Sequence, residues 1–197
     1  MEVVFERMEG RRYAIEVHRP GAPLLRMDPA PGFDHYFPHD LQHLIVEEQL
    51  GIGDGIFGRL AQGGTASTFH AVGRPGSSSV RALSRERREL SRRNDRLAVG
   101  GSPGFGRSER ATFIAWYDWL SHCPEIELRT KADAMAATAE STLARMAASE
   151  RLALIAALPQ LRVRVDTVAR HWASLGAGQS MTIPWMKAGA KHRAARR

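Results

Sequence analysis

The most chemically suggestive residues of this chain lie in the segment His39-Asp40-Leu41-Gln42-His43, where two histidines stand four positions apart. In an α-helix this spacing places both side chains on one face, close enough for the two imidazoles to bind a single metal ion. Imidazole nitrogen is a frequent ligand of zinc and other divalent metals. The spacing therefore predicts a divalent-metal site, with His39 and His43 as ligands and zinc as the candidate ion.

Two acidic residues accompany the histidines. Asp40 stands where zinc-protease helices carry a glutamate general base, although its side chain is one methylene shorter and could simply complement the helix dipole. Glu47 falls on the same stripe as His39, but about 12 Å further along the axis, too far for both to bind one ion readily. We take Asp40 and Glu47 as candidate catalytic residues. Glu47 could also pair with His43, accept a hydrogen bond from behind a ligand, or bind a neighbouring metal.

A mononuclear site needs a further ligand from outside this helix. His35 is the preferred candidate, because the turn at Pro38 could fold it back toward His39. The other candidates, which the sequence does not rank, are His18, His70 and Glu48. The same polar residues could instead form a hydrogen-bonded cluster that fixes the helix to a sheet without any metal.

The segment from His39 to His43 resembles the HDxxH element of the Coq4 family of ubiquinone-biosynthesis proteins, and this resemblance implies a zinc-binding helix. That family has a glutamate twelve residues after the second histidine, whereas this chain has Gly55 there. The all-helical fold of that family also differs from the strand-rich start of this chain. The longer segment 38–64 is similar to uncharacterised bacterial proteins of the actinobacterial type that share a PHDLxHxxVE pattern, which implies a fold unit but no activity.

Periodicity along the chain predicts the elements that would position these residues. Period-two alternation and turn residues favour strands at 3–8, 12–19 and 24–27, and apolar spacing favours helices ending at Leu50 and over 56–61. Ser108 is a candidate N-cap for an aromatic helix, and the alanine-rich sequence 130–158 favours one or two helices. Pro159 is expected to separate that sequence from a last helix, which a strand at 180–185 follows.

These elements predict an α+β protein, with a small N-terminal antiparallel sheet packed on helices and a mostly helical C-terminal half that ends in a short strand. Residues 1–72 would contain the first strands and the histidine helix, and residues 73–107 a linker and an Arg-rich helix. Residues 108–186 would be helical with the terminal strand and would pack on 1–72 as one domain. A basic tail, 187–197, would complete the chain.

The net charge of +7 is concentrated in two segments. Residues 81–96 hold seven arginines against three acidic residues, and residues 187–197 hold five basic residues and no acidic one. This distribution argues against a surface wholly devoted to nucleic acid. Leu83, Leu90 and Leu97 recur every seven residues, a thin apolar seam for packing or for a short paired helix, but Glu86 and Glu89 interleave with the arginines and favour a solvated amphipathic helix. The alternative function is a non-enzymatic binding or regulatory protein, engaging an acidic partner or nucleic acid through Arg81–Arg96 and the tail.

Composition indicates the compartment. The first ten residues mix acids and bases, no apolar run reaches 18 residues, and Cys123 is the single cysteine. We therefore expect a cytoplasmic protein without a signal peptide, membrane span or internal disulfide. The leading prediction is a metal-binding protein, a hydrolase or lyase acting on a small-molecule substrate, whose identity the sequence does not indicate. Nor does the sequence indicate the oligomeric state.

Overall fold

A five-stranded antiparallel sheet forms one layer of the protein, in a computed structural model that describes residues 1–30, 36–66, 68–72, 84–85, 88, 91–92 and 103–186. The strands are β1 (Glu2–Arg7), β2 (Tyr13–His18), β3 (Leu24–Met27), β4 (His70–Val72) and β5 (Ser180–Pro184). Their order across the sheet is β4-β3-β2-β1-β5, with every pair antiparallel. The α+β prediction is confirmed, and β4 is a strand that the sequence analysis did not predict.

The strand register places the alternating apolar residues of four strands on one face of the sheet. Ile183, Val3, Val17 and Leu25 form one cross-strand row, and Met181, Phe5, Ile15 and Met27 form the next. All eight side chains are buried. On the opposite face Arg26 forms ion pairs with Glu6 and Glu16. Because side chains alternate between faces along a strand, this pattern commits one face to the helices.

Five helices whose bounds the structure describes accompany the sheet. They are α1 (His39–Leu50), α2 (Ile56–Ala61), α3 (Pro103–His122), α4 (Ile126–Arg145) and α5 (Ala148–Ser174). Helix α1 contacts α2, α3 and α5, and all of its residues from Leu41 to Glu48 are buried. It ends at Gly51, whose φ of 66° suits glycine. The central position of α1 makes its polar side chains part of the interior.

Helix α3 begins earlier than the sequence indicated. We expected Ser108 to cap this helix, but the helix starts at Pro103 and encloses Ser108, which is fully buried. Gly104, which falls in the segment 73–107 expected to contain a linker and an Arg-rich helix, lies against the Asp54 side chain so closely that a Cβ would collide with it. Arg107 also pairs with Asp54 at 3.0 Å. These contacts with the α1–α2 turn account for the earlier start of α3. The boundary between the expected segments 73–107 and 108–186 lies inside this helix.

The expected break at Pro159 was also wrong. Helix α5 continues through Pro159, and the chain breaks instead at Met146 and Ala147, between α4 and α5. A proline deprives the carbonyl four residues earlier of its helical donor. Here that carbonyl belongs to Ile155, which is 48% exposed, so water can supply the donor. The exposed face therefore tolerates the proline.

The predicted Arg-rich helix and basic tail lie mostly outside the described residues. Within 81–96 the structure describes Ser84, Arg85, Arg88, Ser91 and Arg92, all of them helical. Their binding role stays a prediction. No helix among the described residues combines the length and the apolar character needed to cross a membrane.

Candidate metal centre

Three potential metal ligands meet where α1 lies against α3. They are His39 and His43 of α1 and Glu109 of α3, and their ligand atoms lie within 4.8 Å of one another. The imidazole ring centres are 4.6 Å apart, with the ring planes at 88°. Nε2 of His43 lies 3.6 Å from a carboxylate oxygen of Glu109. The structure thus brings the two predicted histidines together and supplies an acid that the sequence analysis did not name.

The burial of the three groups differs in a way that suits ion binding. His43 is 1% exposed, whereas His39 and Glu109 are exposed, so the cluster is closed on one side and open on the other. Nε2 of His43 is buried and has no hydrogen-bond partner within the described residues. An unsatisfied buried polar atom costs about 1–3 kcal/mol. A metal ion beside this nitrogen would satisfy it, so the donor set fits a borderline cation such as Zn²⁺.

The electrostatics keep the buried imidazole neutral. Burial, followed by repulsion from the nearby His39, lowers the pKa of His43 from 6.5 to about 3. A neutral imidazole retains the lone pair that a metal requires. His43 is therefore in its ligand form at neutral pH.

The other ring nitrogen of His43 faces two hydroxyl groups on α3. Nδ1 lies 2.8 Å from Oγ of Ser108 and 3.3 Å from Oγ1 of Thr112. The Ser108 hydroxyl donates to Oε1 of Glu47 at 2.7 Å. Glu47 therefore reaches His43 through Ser108, which agrees with the alternative that Glu47 accepts a hydrogen bond from behind a ligand.

Both oxygens of the Glu47 carboxyl group are occupied. Besides Ser108, they accept the backbone N–H groups of Ile56 and Phe57 at 2.8 Å and of Gly58 at 3.1 Å, at the start of α2. Burial raises the pKa of Glu47, and the four donors act in the opposite direction. Glu47 lies behind His43 and joins α1, α2 and α3.

Gly55 makes room for this carboxyl group. A Cβ at position 55 would lie within 3.0 Å of all three atoms of the Glu47 carboxyl group, closer than real Cβ contacts. This is the position where the HDxxH resemblance implies a glutamate. In this chain the space that such a side chain would need is occupied by the Glu47 carboxyl group.

Asp40 occupies a different environment from the histidines. Its carboxyl group accepts a hydrogen bond from the hydroxyl of Tyr13 on β2. Burial is the main influence on Asp40 and raises its pKa, while this hydrogen bond opposes the rise. The bond links the first turn of α1 to the sheet. Whether Asp40 transfers protons stays a prediction.

The expected third ligands lie elsewhere or outside the described residues. His35 belongs to the undescribed segment 31–35. His18 and His70 lie on strands, and His18 pairs with Glu16 at 3.2 Å. Glu48 binds Arg164 and the backbone N–H of Met186. In the cluster found among the described residues, His18, His70 and Glu48 take no part.

Sequence reasoning missed the contribution of α3. Ser108 and Thr112 are one helical turn apart and share a face with the buried residues Ala111 and Ala115. Two hydroxyls on an otherwise apolar face are a signal that could have been found. Glu109 carries no such signal, because an exposed acid on a helix is commonplace.

Comparison with known proteins adds no functional assignment. The chain matches no family model, no curated protein and no solved structure.

Proposed function

We propose that this protein binds a divalent transition metal, with zinc as the preferred ion, through His39, His43 and Glu109. The observation that carries the proposal is Nε2 of His43, which is buried, lacks a hydrogen-bond partner in the described part of the chain and lies 3.6 Å from Glu109. Two imidazoles and one carboxylate form a ligand set typical of zinc sites that retain chemical activity. Two of these ligands lie on α1 and one lies on α3.

The proposal extends to metal-dependent hydrolysis or lyase chemistry on a small molecule. A zinc ion held by three protein groups keeps a fourth position open and can polarise a water molecule or a carbonyl group. The exposed side of the cluster, formed by His39 and Glu109, gives a small molecule a route to that position. Asp40, beside His39 in sequence, is our candidate for proton transfer, whereas Glu47 contacts His43 only through Ser108.

Metal content and affinity test the binding proposal. Purified chain would be stripped with a chelator, titrated with Zn²⁺ and Co²⁺, and analysed for bound metal after dialysis. We expect one ion per chain, with the affinity reduced by more than about 100-fold in His43→Ala and Glu109→Ala. His171→Ala and Glu140→Ala, which alter exposed residues elsewhere, serve as matched controls. Stoichiometric binding that survives both ligand substitutions would contradict the proposal, as would its absence from the parent chain.

A second measurement separates an open site from a purely structural one. Co²⁺ in the site would be titrated with a small anionic ligand such as acetohydroxamate while its visible absorption is recorded. A saturable spectral change indicates a free coordination position and supports the enzymatic extension. An unchanged spectrum at saturating anion would leave metal binding intact but rule out that extension.

A further inference from the structure

We infer that Ser108 and Glu47 are positioning residues for the candidate metal centre, because they fix the tautomer of His43 that leaves Nε2 free to bind an ion. The inference rests on the proposed metal function but concerns residues that bind no metal themselves. It starts from the continuous path between the start of α2, Glu47, Ser108 and His43, in which each of these three side chains is buried.

The direction of each hydrogen bond follows from the number of donors around Glu47. Three backbone N–H groups can only donate, and they already use Oε2 twice and Oε1 once. The Ser108 hydroxyl, 2.7 Å from Oε1, supplies the fourth hydrogen. A carboxylate has about four acceptor sites, so these donors match its capacity.

A hydroxyl that donates its single hydrogen to Glu47 can only accept at its other contact. Oγ of Ser108 lies 2.8 Å from Nδ1 of His43, and that nitrogen must therefore carry the hydrogen. A neutral imidazole has one N–H group, so Nε2 keeps its lone pair. Nε2 is also the nitrogen that faces Glu109. The hydrogen bonds from Glu47 through Ser108 therefore leave Nε2 of His43 unprotonated, which is the form that binds a metal ion.

Thr112 provides a natural comparison for Ser108. Both hydroxyls lie on α3 and face Nδ1 of His43, but Thr112 is 3.3 Å away, whereas Ser108 is 2.8 Å away and also contacts Glu47. Removal of the Thr112 hydroxyl leaves the path from Glu47 to His43 intact. The two residues thus differ in their contact with Glu47, which fixes the direction of the hydrogen bond to His43.

Nitrogen NMR of the metal-free protein tests the tautomer without requiring any metal to bind. Long-range ¹H–¹⁵N correlations distinguish an imidazole protonated at Nδ1 from one protonated at Nε2. We expect His43 to be protonated at Nδ1 in the parent chain and in Thr112→Val, and to shift toward Nε2 protonation in Ser108→Ala. Nε2 protonation in the parent chain, or no change in Ser108→Ala, would overturn the inference.

Metal affinity supplies the second readout. We expect Ser108→Ala and Glu47→Gln to bind Co²⁺ and Zn²⁺ about 10- to 100-fold more weakly than the parent chain, and Thr112→Val to bind within about threefold. Ser108→Thr, which retains the hydroxyl, should restore most of the affinity. If the parent chain binds metal and Ser108→Ala binds it equally well, the positioning role is wrong while the proposed function stands. If no chain binds metal but the tautomer result holds, the proposed function fails alone.

Discussion

Replacement of Gly55 by alanine tests the tight packing around Glu47. The new Cβ would lie 2.7 Å from Oε2 of Glu47 and closer still to the other two atoms of the group, whereas ordinary contact begins at 3.4 Å. To reach that distance, Oε1, at 2.3 Å, would have to retreat by about 1.1 Å and Oε2 by about 0.7 Å. If the carboxyl group moves directly away from its donors, the 2.8 Å hydrogen bond from Phe57 to Oε2 would lengthen to about 3.5 Å, the limit of such bonds, and the 2.8 Å bond from Ile56 to Oε1 would exceed it.

The cost can be estimated from the weakened bonds. A hydrogen bond to a charged group contributes about 1.5–3 kcal/mol, and relaxation of the turn recovers part of the loss. We therefore expect Gly55→Ala to lower the free energy of unfolding by about 3 kcal/mol. With a denaturant slope of about 2 kcal/mol/M, the urea midpoint would fall by about 1.5 M.

Two comparisons make this measurement decisive. Gly53→Ala places a Cβ 3.5 Å from the Gln62 side chain, an ordinary contact, and should change stability by less than about 1 kcal/mol. In a Glu47→Ala background the obstacle at position 55 is gone, so Gly55→Ala should cost little there. Additive costs in the double variant, or a midpoint for Gly55→Ala equal to that of the parent chain, would refute the steric argument.

Three further predictions concern the metal, pH and the thiol. Zn²⁺ at 100 times its dissociation constant should raise the free energy of unfolding by about 2.7 kcal/mol, and excess chelator should reverse the rise; a thermal shift scan that shows no metal effect would count against the site. In the metal-free protein, His43 stays neutral when folded, with its pKa lowered to about 3, but gains a proton near pH 6.5 when unfolded. The contribution of the neutral His43 side chain to the free energy of unfolding should therefore be complete above pH 6.5 and decline by roughly 1.4 kcal/mol per pH unit toward pH 3. This contribution is measured as the stability difference between the parent chain and His43→Gln. A difference independent of pH would contradict this reasoning. Burial, with the nearby Glu125 and Asp166, raises the pKa of the Cys123 thiol from 9.0 to about 11, so a disulfide reagent at pH 8 should label native protein about 100-fold more slowly than urea-unfolded protein; equal labelling rates would show that the thiol is accessible.

Helix α1 could be predicted because its signals are local. Pro38 precedes its first turn, Gly51 follows its last, and the histidines fall on one face. Strands β1, β2, β3 and β5 were predicted within two residues for a similar reason, since alternation is a property of neighbouring residues.

The assembly of the site could not be predicted because it depends on contacts between distant segments. Glu109 is 66 positions from His43 in the sequence and reaches it because α3 lies along α1. The start of α3 was placed too late for the same reason, since Gly104 follows the shape of the turn at Asp54 and not a capping signal. The prediction at Pro159 was wrong for a different reason. Proline usually ends a helix, but here Ile155, whose carbonyl loses its donor, is exposed to water.

The pairing of β1 with β5 has a consequence for shortened chains. Glu2 is opposite Pro184, so the first strand is an interior strand of the sheet only when the last strand covers it. A fragment ending before Ser180 would retain His39, His43 and Glu109 but would leave the outer backbone groups of β1 open to another molecule. Exposed strand edges of this kind promote self-association. We therefore expect such a fragment to aggregate more readily than the chain that retains residues 180–184.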